Sequence, residues 1–225
     1  MRIASGQLDR LAAAVDEVLR LDRPADRVLS EFFRANRDLG AQDRELVAET
    51  VYALLRRLRL VQHAAATANP RRLALAALAL VRGVSVRELA GAIPARDADW
   101  LAQVKANAQA PLPFGIAVDL PDWLIARLRT SMDDASITAL ADALNRPAPL
   151  DLRVNLLKGE RDALAQGFAA EGIRALPTPY SPWGLRLPDK PALARHPRFL
   201  DGTVEVQDEG SQLLCVLTGA RRGEM

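Results

Sequence analysis

Apolar residues in this chain recur at helical spacing up to about residue 145 and alternate with polar ones from residue 150, and the change falls on Asn145-Arg146-Pro147-Ala148-Pro149. A period of 3.6 buries one stripe of a helix, whereas a period of two buries one face of a strand, and a single segment cannot do both. The two prolines remove backbone donors and push the residue before each of them out of the helical region. The chain therefore divides into a helical part and a part containing strands. At 225 residues it is long enough for each to bury a core of its own.

In the first part, Leu8, Leu11, Ala12, Val15, Val18 and Leu19 form one stripe, and Asp22-Arg23-Pro24 interrupts it before Val28, Leu29, Phe32 and Phe33. Gly40 and Asp43 supply start signals for one long helix carrying Leu46, Val47, Thr50, Val51, Leu54, Leu55 and Leu58. Ser85 and Glu88 have the spacing of a capping box ahead of Leu89. Further helices are expected over 98–106, 121–130 and 134–144, which makes residues 1–146 an all-helical domain.

In the second part, Leu150, Leu152, Val154 and Leu156 alternate with Asp151, Arg153 and Asn155, the pattern of a strand with Arg153 and Asn155 on its exposed face. Residues 160–171 carry Leu164, Phe168 and Ala169 at helical spacing and stop at Gly172. Short strands are expected at 175–179 and 183–187, another begins at Gly202, and a short helix covers 211–218. Residues 147–202 then form a small α/β module, with 203–225 as the start of a further domain.

The most apolar run, Leu73 to Val81, is too short to span a bilayer and is flanked by Arg71, Arg72 and Arg82. The N-terminus lacks the apolar region of a signal peptide, so a cytoplasmic protein is expected. One cysteine and two histidines exclude an internal disulfide and leave no credible zinc set. Cys215 falls in Leu213-Leu214-Cys215-Val216-Leu217 and is expected as a buried structural thiol. Trp100 and Trp123 lie in helical stripes and are expected in the core. No glycine-rich phosphate loop or paired-carboxylate spacing stands out, so no catalytic residue is assigned.

Net charge is only +2, but between residues 53 and 96 eight arginines (56, 57, 59, 71, 72, 82, 87 and 96) face one acid, Glu88. Such a segment offers a phosphate backbone an electrostatic footprint, and it also fits a solvated arginine-rich surface. In the second part, Arg153 can present its planar fork to a phosphate, Asn155 can read a base edge or sugar, and Lys158 follows in the turn. The competing reading pairs Arg153 with Asp151 or Glu205. Trp183 and Tyr180, in a proline-flanked loop, can expose an aromatic face to a base.

Pro149-Leu150-Asp151-Leu152-Arg153-Val154-Asn155 resembles the Pro-x-x-Leu-Arg-x-Asn element of the Sun/Fmu (RsmB-type) RNA cytosine-5 methyltransferases. Leu120-Pro121-Asp122-Trp123-Leu124 is similar to the family's Pro-x-Trp-Leu helix start. The stretch from Gly202 to Gln212, which contains Val206-Gln207-Asp208 and Ser211-Gln212, is similar to its Gly-x-x-x-Val-Gln-Asp-x-x-Ser-Gln segment. Upstream of about Pro113 the resemblance is weaker and rests on helical pattern, with Asp43-Arg44-Glu45-Leu46-Val47 as the best local match.

The resemblance implies a NusB-like helical RNA-binding domain over 1–146, an RNA-recognition-motif-like module over 147–202, and over 203–225 the entry to a Rossmann-like methyltransferase domain. The family's S-adenosylmethionine loop and its two catalytic cysteine motifs would follow Gly223-Glu224-Met225. This chain is thus expected as the RNA-binding front of a longer enzyme acting on ribosomal or transfer RNA, with no cofactor bound to itself and no metal. RNA contact is expected at Arg56, Arg57, Arg59, Arg71, Arg72, Arg153, Asn155 and Lys158. Gln207, Asp208, Ser211 and Gln212 are expected where the module meets the methyltransferase domain in cis. Two other readings are a stand-alone NusB-like RNA-binding or antitermination factor, and a helical protein-interaction domain.

Overall fold

The computed structural model describes residues 3–146 and 148–220. Pro147 of the joint and Gly223-Glu224-Met225 lie outside the described residues. The chain divides into two compact units, Met1–Arg146 and Pro147–Met225.

The first unit is helical: α1 (Ser5–Val18), α2 (Ala25–Ala35), α3 (Ala41–Arg56), α4 (Leu58–Ala65), α5 (Pro70–Leu80), α6 (Val86–Leu89), α7 (Ala95–Gln109), α8 (Phe114–Ala117), α9 (Asp122–Leu128) and α10 (Asp134–Leu144). Its centre is α5, which packs against α1, α3, α4 and α7. Every residue from Leu73 to Ala79 is buried, because alternating leucine and alanine lets neighbouring helices close on all sides. The Asn69 side chain starts this helix by accepting the Arg72 N–H at 3.1 Å, and Pro70 occupies its first turn. Ser85 and Glu88 form the expected capping box, although α6 has only four residues.

The long helix expected through Leu58 is broken. α3 ends at Arg56, Arg57 takes φ −124° and ψ 31°, and Leu58 begins α4. The cause lies 60 residues away. Asp119 Oδ1 accepts the N–H groups of Arg59 at 2.8 Å and Leu60 at 3.2 Å, capping α4 from outside its own segment. Val118, Ile125 and Ala141 form a small separate cluster with Phe114 and Leu120.

The second unit runs β1 (Leu150–Val154), α11 (Arg161–Ala170), β2 (Leu176–Pro177), β3 (Gly184–Leu187), α12 (Pro197–Leu200), β4 (Val204–Val206) and α13 (Glu209–Leu217). The sheet order is β2-β3-β1-β4, and all neighbours are antiparallel. Two interleaved β-α-β crossovers produce this order. Leu152, Val154, Leu185, Leu187 and Val204 pack with Phe168 of α11 as the core of the unit. Gly172 takes φ +76° just after α11, the left-handed turn that the sequence placed there. A Cβ on Gly184 would lie 2.0 Å from the Thr178 hydroxyl, so glycine is what lets that loop close over β3.

Asp151 departs from the alternation. Its side chain is only 1% exposed, although it lies on the sheet face opposite Leu152. α13 packs on β1, and the Asp151 carboxylate receives Arg186 Nε and Nη2 at 2.7 and 2.8 Å. A fully paired carboxylate can occupy a covered face that alternation alone assigns to solvent.

Candidate nucleic-acid interface

Most of the arginines of the basic segment have partners within the protein. Arg57 Nε lies 3.2 Å from Asp119 Oδ2. Arg59 bonds the Leu120 carbonyl and pairs with Asp122 at 2.9 Å. Arg71 pairs with Asp9, and Arg82 with Glu49 at 3.2 Å. The Arg72 guanidinium stacks 5.0 Å over the Trp100 ring, which is half-buried against the core. The Arg56 side chain is exposed and has no hydrogen-bond or ion-pair partner among the described residues. Net sequence charge therefore overstates the free positive charge of this segment. Burial pushes the Asp119 carboxyl up from its ordinary value, against the pull of the Leu60 and Arg59 N–H groups and of the Arg57 and Arg59 charges.

One cleft in this unit keeps cations without an ion-pair partner among the described residues, Arg72 and Arg96. Arg71, Arg72 and Arg96 gather with Thr67 and Asn69 at the start of α5, around a space of about 320 Å³ that one acid, Asp97, also borders.

On the small module, Arg153 pairs with Glu205 at 2.5 Å, its cross-strand neighbour on β4. Asn155 holds the turn after β1. Its Nδ2 donates to the Gly202 carbonyl at 3.2 Å, and its Oδ1 accepts the Leu157 N–H at 3.1 Å. Lys158 donates to the Asp201 carbonyl. Asn155 and Lys158 thus tie the β1 turn to the loop before β4.

The segment from Gln207 to Gln212 is a polar latch. Asp208 caps α13 by accepting the Ser211 N–H at 2.8 Å, while the Ser211 side chain stays exposed. Gln212 is fully buried, accepting the Ser181 hydroxyl at 2.6 Å and donating to the Gln207 carbonyl at 2.8 Å. Glu209, which the sequence did not single out, is the centre of the latch. Its Oε1 accepts the N–H groups of Tyr180 at 2.6 Å and Ser181 at 2.8 Å, with Arg186 3.8 Å from the other oxygen. Burial pushes this carboxyl up, but those two N–H groups, the Thr178 hydroxyl and Arg186 outweigh it and hold it below the usual range. The only advance signal was an acid in the first turn of a helix.

α13 consequently buries polar residues and displays apolar ones. Leu214 and Leu217 are 66% and 81% exposed, and Val206 is also open. Cys215 is exposed rather than buried as expected, because the docked face of α13 is the one bearing Glu209 and Gln212. Trp123 is likewise exposed, not in the core. Trp183 borders two clefts, of about 250 and 350 Å³, and Tyr180 stands exposed nearby in sequence.

Residues 120–193 match the family model for the ferredoxin-like domain of RsmF/B-like methyltransferases. The β1-α11-β2-β3-α12-β4 order and antiparallel sheet are those of that fold. Over those residues the chain is similar to the RsmF/B-like methyltransferases. It is 36% identical over 97 residues to ribosomal RNA small subunit methyltransferase B of Xylella fastidiosa (strain Temecula1), covering 43% of this chain and 22% of that protein. It is 32% identical over 105 residues to the probable ribosomal RNA small subunit methyltransferase B of Synechocystis sp., covering 46% and 24%. The matches span less than a quarter of the length of these two proteins. The crystal structure of PH0851 superposes with a TM-score of 0.65 at 16% identity, over 100% of this chain and 57% of that one, which supports the fold. No described helix is long and apolar enough to cross a membrane. No group of three or more potential metal ligands occurs among the described residues.

Proposed function

We propose that this chain is the RNA-binding N-terminal part of an S-adenosylmethionine-dependent ribosomal RNA cytosine-C5 methyltransferase. The observation that carries the reading is the match of residues 120–193 to the family model for the ferredoxin-like domain of RsmF/B-like methyltransferases, together with similar proteins that bear the rRNA methyltransferase name. In this reading the helical unit is NusB-like and grips RNA through Arg56 and the cleft of Arg71, Arg72 and Arg96. The small module orients the strand, and the segment from Val204 through α13 leads into the methyltransferase domain. The open apolar side of α13, with Leu214 and Leu217, is where that domain packs in cis.

The reaction the family name implies needs a thiolate that adds to C6 of the base, so that C5 can accept a methyl group. No glycine-rich loop of the kind that holds the cofactor stands out in this sequence, and its one cysteine, Cys215, lies in the apolar run Leu213-Leu214-Cys215-Val216-Leu217. No chemical step is therefore assigned to this chain, and its part is to hold a single-stranded target.

The test is a fluorescence-anisotropy titration of the 225-residue chain with a single-stranded ribosomal RNA fragment at several salt concentrations. Weak binding that falls steeply with salt is expected. No measurable affinity at low salt refutes the reading. A methyl-transfer assay on the same chain is expected to be blank, and turnover would overturn the assignment of catalysis to a further domain.

A further inference from the structure

We infer that the paired clefts at Trp183 hold one unpaired, uncharged nucleobase of a bound RNA strand, an inference that deepens the RNA-binding reading above and rests on it. Trp183 and Leu156 border both clefts. Trp183 is half-buried and its main chain is held on both sides, the backbone N–H donating to the Ser181 hydroxyl at 3.3 Å and the carbonyl accepting the Val154 N–H at 2.9 Å. An anchored aromatic wall loses little freedom when a second ring stacks on it.

Charge decides which part of a nucleotide suits the site. Arg153 borders one cleft and Arg161 the other, but each is already matched, Arg153 by Glu205 at 2.5 Å and Arg161 by Asp162 at 3.0 Å. Glu160 and Asp162 also border the second cleft. A phosphate placed here would meet carboxylates that have no spare cation beside them, whereas an uncharged heteroaromatic ring would not. The same ring would find hydrogen-bond donors. Arg153 uses Nη2 toward Glu205, leaving its other N–H groups for ring nitrogens or carbonyl oxygens. The cleft at the start of α5 has the opposite character: Arg71 there is matched by Asp9, but Arg72 and Arg96 have no ion-pair partner among the described residues, and the site suits a phosphate. One site is therefore sensitive to salt and the other is not.

The test uses the whole chain, a short fluorescein-labelled single-stranded oligoribonucleotide, and an abasic ribose-phosphate strand of the same length, titrated across a range of potassium chloride concentrations. Trp183→Ala is expected to weaken binding of the base-bearing strand by about 5- to 150-fold, the cost of one lost stack, with the slope of affinity against salt unchanged. Trp183→Phe should recover most of the loss, and the abasic strand should bind the unaltered chain as weakly as the base-bearing strand binds Trp183→Ala. A folded Trp183→Ala chain that binds like the original overturns the inference and leaves the RNA reading standing, and so does a loss that flattens the salt slope. If Trp183→Ala does not fold, the two strands decide on the unaltered chain, and equal affinities overturn the inference. If neither strand binds at low salt, the RNA reading falls and takes this site with it.

Discussion

Glu209→Ala tests the latch that holds α13 to the sheet. The substitution removes the acceptor of two backbone N–H groups, Tyr180 at 2.6 Å and buried Ser181 at 2.8 Å, and leaves both without a protein partner. An orphaned buried donor costs about 1–3 kcal/mol, so the small unit should lose about 2–4 kcal/mol, a large share of the 5–15 kcal/mol typical of a domain. Glu209→Gln should cost about 1 kcal/mol, because one amide oxygen can still accept both N–H groups. Native-state hydrogen exchange, read on peptides covering residues 176–187, follows the local opening directly. The carboxyl lies below its ordinary 4.5 in the folded chain. The stability of its ionised form is therefore present at neutral pH and lost as pH falls below that value, and the gap between the unaltered chain and Glu209→Gln should close in acid. Exchange at 180 and 181 that is unchanged in Glu209→Ala would refute the account of α13 as latched by this carboxylate.

Asp119→Ala should uncap α4 and cost about 1–2 kcal/mol in urea unfolding of the helical unit, whereas Asp119→Asn, which keeps the acceptor, should cost much less. Because burial raises the Asp119 carboxyl, the unaltered chain should be best placed against Asp119→Asn at low pH and lose ground as pH rises through the raised value. Gly184→Ala would bring a Cβ to 2.0 Å from the Thr178 hydroxyl, and a loss of about 1–3 kcal/mol is expected in thermal melts, with part of it recovered in the double variant with Thr178→Ala. On the proposed function, Arg56→Ala should lower the salt slope of RNA binding by about 0.7, the step for one phosphate contact on a single strand.

Where one stripe or one alternation carried the signal, the sequence was readable. The stripe from Leu8 to Val18 is α1, the capping box at Ser85 is formed, and Leu152 and Val154 face the core of the second unit. What escaped depends on partners distant in sequence. Nothing near Arg57 announces a break, because the carboxylate that caps α4 comes from Asp119. Asp151 reads as exposed until Arg186 and α13 cover it. For α13, five consecutive apolar residues suggested burial, yet the helix docks through Glu209 and Gln212, so Cys215 and Leu217 face outward. At the candidate site, arginine count was legible but most arginine pairing was not. Arg57, Arg59 and Arg71 each answer an acid that local spacing does not reveal, whereas the competing reading of Arg153 had already named Glu205, the acid it meets.

The two margins of the small sheet are not equivalent. On β2 the Thr178 N–H turns inward to the Gly184 carbonyl at 3.0 Å, so the position before it faces away from the sheet, and there Pro177 has no N–H to offer. On β4 the Gln207 N–H turns inward to the Asp151 carbonyl, which leaves the N–H of Val206 facing outward. Growth of this sheet is thus one-way. A strand arriving from elsewhere in a longer chain, or from a second copy during aggregation, meets a blank rim beside β2 and finds its hydrogen-bonding template beside Val206.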